Sequence, residues 1–390
     1  MIQQSHASYA ADAMLQSEHI QFRGAFRRFV QERLAPLAAQ GEKEKRFPLE
    51  VYKELRQGGY LAPDLPEEIG GGGGDILIGC VYYEELTRIP AGVSAGVFAH
   101  QHLALKPLLT LGTESQKREY LLPGVRAERI GAFALTEPDA GSDIMGIRTR
   151  ARAAGDDWIL SGSKLYITNG TIADFYIVAA RTLAERRPDA LSLFILDARS
   201  KGLSASPLDK LGNHSSSTAL VTLDDVRVGP GQLLGTVGGG LGQLKATLAS
   251  GRILQATRGL GIAQCALEHS LAYAGQREAF GQPIGQFQAV AFKIAEMASR
   301  IEAARLMIYS AACSCMAGNE VSMAASMAKF MTADAVQYAA VQAVTLHGGY
   351  GYMEESELPR LYRDAPESYI GEGTPEIQLR IVARAMGMKC

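Results

Sequence analysis

The sequence predicts an α+β multidomain chain in the order helical, β, helical, and three patterns predict it. Apolar residues in the first third recur at three- and four-residue steps. From about Ile130 the pattern switches to period two, and beyond Gly242 it returns to a helical period sustained over many turns. With 390 residues, 47% hydrophobic and 21% charged, the chain can bury a sizeable interior and is long for one core, so two or three lobes are expected. A formal net charge of −2 and the lack of a Lys/Arg-rich block leave no basic field for nucleic acid.

In the first third, Phe22, Phe26, Phe29, Val30, Leu34 and Leu37 follow a cap signal at Ser17 and alternate with charged residues, as in an amphipathic helix. Pro36 is expected to bend or end it. A shorter helix fits Pro48 to Gln57. The glycine run Gly70 to Gly74 follows Leu65-Pro66-Glu67-Glu68 with no strand before it and no Lys-Ser/Thr after it. A flexible turn between helices is therefore expected in preference to a phosphate loop.

In the middle, Arg148-Thr149-Arg150-Ala151-Arg152 alternates, Gly155-Asp156-Asp157 makes a turn, and Trp158-Ile159-Leu160 resumes. Lys164 to Thr168, Phe175 to Val178, Leu191 to Leu196 and Ala219 to Leu223 continue the series. Short strands separated by Gly, Asn, Asp and Pro turns predict a small antiparallel barrel or sandwich. Farther on, Phe287, Val290, Ile294, Met297, Ile301, Ala304 and Ile308 form an a/d stripe, with Gly318 as the stop. The helix predicted from Ser322 to Leu346 is rich in alanine, which lets neighbouring helices approach closely.

The five cysteines, Cys80, Cys265, Cys313, Cys315 and Cys390, are odd in number and sit mostly in apolar stretches. The spacing of Cys313 and Cys315 matches neither a zinc pair nor a redox CxxC, so free thiols in a reducing compartment and no metal are expected. Met1 to Gln16 contains Asp12, no Arg and no apolar run, unlike a secretory or transit signal. No stretch approaches the ~18 apolar residues of a membrane span. A cytoplasmic protein without a membrane span is the expectation.

The chemistry-bearing strings begin with Phe133-Ala134-Leu135-Thr136-Glu137-Pro138-Asp139-Ala140-Gly141-Ser142-Asp143. Its hydroxyls and turn amides offer hydrogen bonds to a ring with exposed donors and acceptors, and Gly141 permits close approach. Tyr166 and Thr168, two apart, share one face of a strand. Either string alone is compatible with a plain strand and its turn. Together and in this order they resemble the isoalloxazine-binding strands of acyl-CoA dehydrogenases.

That resemblance extends over nearly the whole chain. Lys210-Leu211-Gly212-Asn213-His214-Ser215-Ser216-Ser217-Thr218 is similar to the family's KLGxRxSxT turn, and Arg277-Glu278-Ala279-Phe280-Gly281-Gln282 with Gln288 to its R-x-x-F-G-x…Q segment. Leu346 to Tyr352, Arg363-Asp364-Ala365 and Gly371-Glu372-Gly373-Thr374 complete the set. The resemblance implies an N-terminal α-helical domain over residues 1–128, a middle antiparallel β-barrel domain over 129–240 and a C-terminal four-helix bundle over 241–390. It also implies FAD and an acyl thioester. Phe133, Leu135, Thr136, Ser142, Tyr166 and Thr168 would meet the flavin of their own subunit. Arg277, Phe280, Gln288, Thr345, Gly348 and Gly349 would hold phosphates and adenosine across a subunit interface, with Thr374 and Glu376 near the cofactor. Arg277 suits a phosphate, since guanidinium pairs bidentately, although a surface cation would look the same.

Glu372 matches the family's base, which removes the α-proton while the β-hydride passes to flavin N5. By itself, a Glu between glycines reads as a solvated loop residue. Some members carry the base on the first long helix of the C-terminal lobe, but the matching position here is Gly251. Ser142, Arg252 and Gly373 would contact substrate.

Four departures bear on the thioester. His214 replaces the usual Arg, Ala249 stands where many members have Asp, Phe133 stands where Tyr is common, and Gly371 replaces a frequent Tyr, which would widen the pocket. A branched, cyclic or polyketide-like acyl group, or one on an acyl-carrier protein instead of CoA, stays open. The chain ends soon after Glu372, which favours a dehydrogenase passing electrons to an electron-transferring flavoprotein over an oxidase. A flavin monooxygenase and a non-enzymatic flavin-binding scaffold are the remaining alternatives. FAD across an interface implies a homo-oligomer, with a tetramer as the expectation.

Overall fold

The computed structural model describes residues 10–184 and 187–389, with side chains described except at 183, 184, 187–189, 241 and 244–249. The amphipathic pattern of the first third forms the helix Ser17–Phe29, capped by Gln16 and not by Ser17. Pro36 does not end it. Val30–Leu34 adopts a π-helical turn, and the helix continues through Ala35–Glu44. Widening the helix just before a proline gives its ring room and removes the need for the N–H it lacks. The same device recurs at Ala99–Leu105 before Pro107 and at Lys117–Leu121 before Pro123.

Gly70 to Gly74 are not a flexible turn. Each of the five main-chain N–H groups donates to a carbonyl within residues 62–67, at 2.8 to 3.0 Å. A Cβ on Gly71 or Gly72 would collide with the carbonyls of Leu65 and Pro63. The run is a tightly packed connection whose donors are already used.

The middle lobe holds β1 (Gly131–Ala134), β2 (Arg150–Ala154), β3 (Asp157–Thr168), β4 (Phe175–Ala184), β5 (Arg187–Asp197), β6 (Leu203–Pro207), β7 (Thr218–Val228) and β8 (Leu233–Leu234). They form one sheet in the order β6-β7-β3-β2-β4-β5-β8, with β1 branching from β4. The expected antiparallel barrel is corrected on both counts. β1 and β2 pair with β4 in parallel. The edges β6 and β8 are not partners, and two-residue β8 pairs only with β5, so the sheet stays open. Period-two alternation reports which face a side chain takes, but neither a neighbour's direction nor whether edges meet. At the central strand β4 both faces are nevertheless buried. Phe175, Ile177 and Ala179 pack against helical Leu105, Leu108 and Leu121, while Tyr176, Val178 and Ala180 pack among strand residues such as Leu160, Val221 and Leu223.

The C-terminal lobe is carried by three long helices, Gly240–Gln276, Gln288–Met316 and Ser322–His347, with Pro375–Ala385 against the last of them. Met297, Ile301, Ala304 and Ile308 of the a/d stripe are buried. One apolar cluster runs from Phe26, Leu55 and Tyr82 into Leu260, Ile301 and Val336, so the two helical lobes share a core.

Inside that core, Glu84 accepts from Arg305 Nη2 at 3.0 Å and from the Tyr309 hydroxyl at 3.0 Å. Arg305 also donates to Gln264 and Glu302, and Arg23 reaches Tyr309 and Asp12. Burial pushes the Glu84 carboxyl up, but Arg305 and Arg23 outweigh it and hold it below the usual carboxylate range. Removing one partner of a buried pair strands the other charge. Glu84→Ala is therefore expected to lower stability by about 3–5 kcal/mol, with Glu84→Ala/Arg305→Met recovering part of that loss. Thermal unfolding of the single and double variants checks this.

Candidate active site

The turn after Glu367–Ile370 carries Gly371, Glu372 and Gly373. Glu372 adopts a left-handed backbone, φ +56°, rare for a residue with a side chain and found where surroundings enforce it. Part of the residue stays accessible, but both carboxylate oxygens are sealed from solvent and have no hydrogen-bond partner. The carboxyl lies over Gly251 of the long helix, where an added Cβ would come within 3.3 Å of Oε2. Burial raises its pKa to about 7, with Arg252, Lys329 and Arg258 pulling down and Glu367 adding to the rise. Its main-chain N–H donates to no protein acceptor among the described residues.

Two helices hold the turn. Gln378 Nε2 donates to the carbonyls of Glu372 at 3.1 Å and Gly373 at 2.9 Å. Lys329 Nζ donates to Gly373 O at 2.8 Å and to Ser368 O at 3.3 Å. Arg252, next to Gly251, has a buried, unpartnered Nε, and burial lowers its pKa against the raising effect of Glu372. Gly371 does not widen the site. A side chain there would run into Glu367 Oε1 and Gln255 Nε2, which are bonded to each other at 2.9 Å. Arg258 extends this group through Gln255 Oε1 at 2.6 Å and Ser94 Oγ at 3.1 Å.

A second set of expected residues meets on the sheet. Leu165 N donates to Thr136 O at 2.8 Å, and buried Lys164 Nζ bonds Leu135 O at 2.9 Å and Glu137 at 2.7 Å. Glu137 also accepts the main-chain N–H groups of Arg148 and Thr149. These bonds tie the 135–143 turn to β3, which carries Thr168 and, at φ +60°, a 66% exposed Tyr166. Phe133, Leu135, Thr136 and Thr168 are half-buried, and Ser142 is exposed.

The third set lies on the bundle. Arg277, Thr345, Gly348 and Gly349 line one groove of about 600 Å³, together with Tyr273 and His347. Apart from their neighbours along the chain, no atom of the described residues lies within 4 Å of where Cβ atoms on Gly348 and Gly349 would sit. Glu278–Ala279 and Gln282–Pro283 form a hairpin whose two-residue turn, Phe280-Gly281, is left-handed at both positions. Such turns favour Asn and Gly, yet here the first position holds a Phe that is 97% exposed. Gln288, which opens the next helix, is exposed, as is Glu376, while Thr374 is half-buried. These residues belong to the bundle, apart from the sheet-borne set.

Of the departures, His214 faces Glu42 at 3.5 Å, with Ser215 N donating to the same carboxylate at 2.9 Å. Asn213 N meets Asp364 at 2.6 Å, so the 210–218 turn is locked to the bundle. The side chain of Ala249 lies outside the described residues. Sequence reading missed Lys329, Gln378 and the Glu137–Lys164 pair. Lys329 left a signal, a single cation on the Ala325, Ala328 and Thr332 stripe, whereas Gln378 left none. Among the described residues no His/Cys/Asp/Glu group could hold a metal ion, and no helix is long and apolar enough to cross a membrane.

Because the folded state raises the Glu372 pKa above 4.5, its contribution to stability is fully present below the unfolded value. It is lost as pH rises through about 7. A shift of this size corresponds to about 3 kcal/mol. Glu372→Gln is thus expected to melt above the wild type near pH ~9 and at no higher temperature near pH ~5, which thermal scans at both values check.

Three family profiles match the chain in order: "Acyl-CoA dehydrogenase, N-terminal domain" over residues 16–128, "middle domain" over 132–226 and "C-terminal domain" over 238–387. An acyl-CoA dehydrogenase of Bacillus subtilis is 39% identical over 368 residues, covering 94% of this chain and 97% of its own. A 3-(aryl)acrylate reductase of Clostridium sporogenes is 38% identical over 369 residues, covering 94% and 97%. The butyryl-CoA dehydrogenase structure from Megasphaera elsdenii superposes with a TM-score of 0.91 at 37% identity, covering 96% of this chain and 99% of that one. With three ordered profiles and full-length relatives matching nearly all of it, the chain belongs to the acyl-CoA dehydrogenase family, FAD-dependent oxidoreductases that desaturate acyl-CoA thioesters between the α and β carbons.

Proposed function

We propose that Glu372 is the base that removes the α-proton of the acyl thioester, and the observation that carries this is its sealed, unpartnered carboxyl with a pKa raised to about 7. A carboxylate stripped of water and hydrogen bonds takes a proton readily, and a pKa near the working pH lets it accept and later release one. Arg252 and Lys329 favour the ionised form without bonding to it, so the oxygens stay available to the substrate. The Glu372 N–H, without a protein acceptor, can donate to the thioester carbonyl, which becomes more negative as the proton leaves. Ser142, Arg252 and Gly373 are assigned to the substrate.

The residues present fit FAD. Thr136, Ser142, Tyr166 and Thr168 offer hydroxyls and an exposed ring on one lobe, joined by Phe133 and Leu135. Arg277, Thr345, Gly348 and Gly349 surround a groove open enough for phosphate and adenosine, with Phe280, Gln288, Thr374 and Glu376 as further contacts. When bound, FAD supplies the acceptor for the β-hydride. The exposure of Tyr350 in the groove, and of Phe280 and Tyr352, supports a homo-oligomer, proposed as a tetramer, in which a second subunit covers these rings. An electron-transferring flavoprotein is the proposed acceptor and the cytoplasm the proposed compartment. The domains are proposed at 1–128, 129–240 and 241–390.

Glu372→Gln is expected to keep its FAD and lose flavin reduction when titrated anaerobically with short straight-chain, branched and aryl acyl-CoAs. Bleaching at near wild-type rate would rule out the assignment. Arg277→Ala is expected to weaken FAD retention by ~10-fold or more through loss of a charge-assisted phosphate contact, measured as the flavin-to-protein absorbance ratio after dialysis.

A further inference from the structure

We propose that Lys329 is a positioning residue for the base: its buried ammonium group pins both ends of the turn from Ser368 to Gly373 and holds Glu372 in its left-handed backbone over Gly251. The inference rests on the reading of Glu372 as the base.

Lys329 is 2% exposed, on the face of Ser322–His347 that also buries Ala325, Ala328, Thr332 and Val336. A cation buried among such residues is costly, and an aliphatic side chain would pack there without that cost. Among the described residues it makes no ion pair; it donates only to the carbonyls of Gly373 and Ser368. With Gln378, the carbonyls on either side of the base's peptide link receive three donations from two helices. A non-glycine residue in left-handed backbone needs such external restraint.

Gln378 shows that a neutral donor can reach these carbonyls, so the fixed charge of Lys329 has a second effect. The charged groups facing the base are Arg252 and Arg258 on the long helix, Glu367 on the short helix before the turn, and Lys329 itself. Lys329 draws the Glu372 pKa down against burial, and Glu372, after Glu367, draws the Lys329 pKa up. Neutralising Lys329 should loosen the turn and move deprotonation of the base to higher pH.

The test is the pH dependence of flavin reduction in the FAD-loaded Lys329→Met, Lys329→Gln and Lys329→Arg enzymes, followed by anaerobic stopped flow. Butanoyl-CoA is titrated at each pH to separate the limiting rate from the apparent Kd, or the fastest ester of the panel above replaces it. In the Met and Gln variants the midpoint of the acid limb is expected to rise by about one pH unit, so that the rate at pH 7 falls ~5-fold and partly recovers at higher pH. The apparent Kd should move little, and Arg should keep the wild-type midpoint. Gln retains a donor for Gly373, so one neutral variant folds even where Met does not. A wild-type midpoint in the neutral variants, or an equal loss at every pH, would leave Lys329 a purely structural lysine and overturn the proposal. Glu372→Gln run alongside separates the two ideas. If it still bleaches its flavin, the base assignment fails and this proposal with it. If it is dead while the neutral Lys329 variants keep the wild-type midpoint, only the role of Lys329 is lost.

Discussion

The carboxylate of Glu84 is buried between the two helical lobes, and their arrangement depends on how it is satisfied. Arg305 and Tyr309 reach it from the bundle, and Arg23 reaches Tyr309 from the first helix. A buried ion pair adds little net stability over an apolar substitute, but it penalises any packing in which the partners do not meet. Apolar contacts across the shared core are non-directional and would tolerate helices sliding by a turn. The Glu84 group does not. Arg305 in turn donates to Gln264 of the long helix, whose Gly251, Arg252, Gln255 and Arg258 surround the Glu372 turn.

The site is arranged around an electrostatic balance. Taking the Glu372 carboxyl out of water raises its pKa, and three cations nearby limit the rise without forming a hydrogen bond to it. A direct salt bridge would stabilise the anion and weaken it as a base; complete isolation would keep it protonated. The glycines take part in this balance. Gly251 leaves room for the carboxyl over the helix, and Gly371 leaves room for the Glu367–Gln255 pair. The residues proposed to face the cofactor are held more simply, by hydrogen bonds that tie a turn to β3 and by a hairpin that presents Phe280 to the outside.

Sequence reasoning fared unevenly for reasons that can be traced to particular residues. The glycine run at 70–74 looked flexible because glycine permits many conformations, yet its amides are all spent on neighbouring carbonyls. Pro36 looked like a stop because local rules price the missing N–H in a regular α-helix, whereas a π-turn accommodates it. The absent Tyr at 371 looked like added space, but Glu367 from the preceding turn and Gln255 from the long helix fill it.

What the sequence determined by itself was the order of the lobes and the identity of the motif residues. Those follow from periodicity and from short ordered strings, which are local properties of the chain. The direction of β1 and β2 beside β4, the open edges of the sheet, the pKa of Glu372 and the burial of Lys329 beneath the turn were decided only by the tertiary structure. Each depends on which distant segments are brought within a few ångströms, and neither desolvation nor charge proximity exists for a residue until the fold has formed around it.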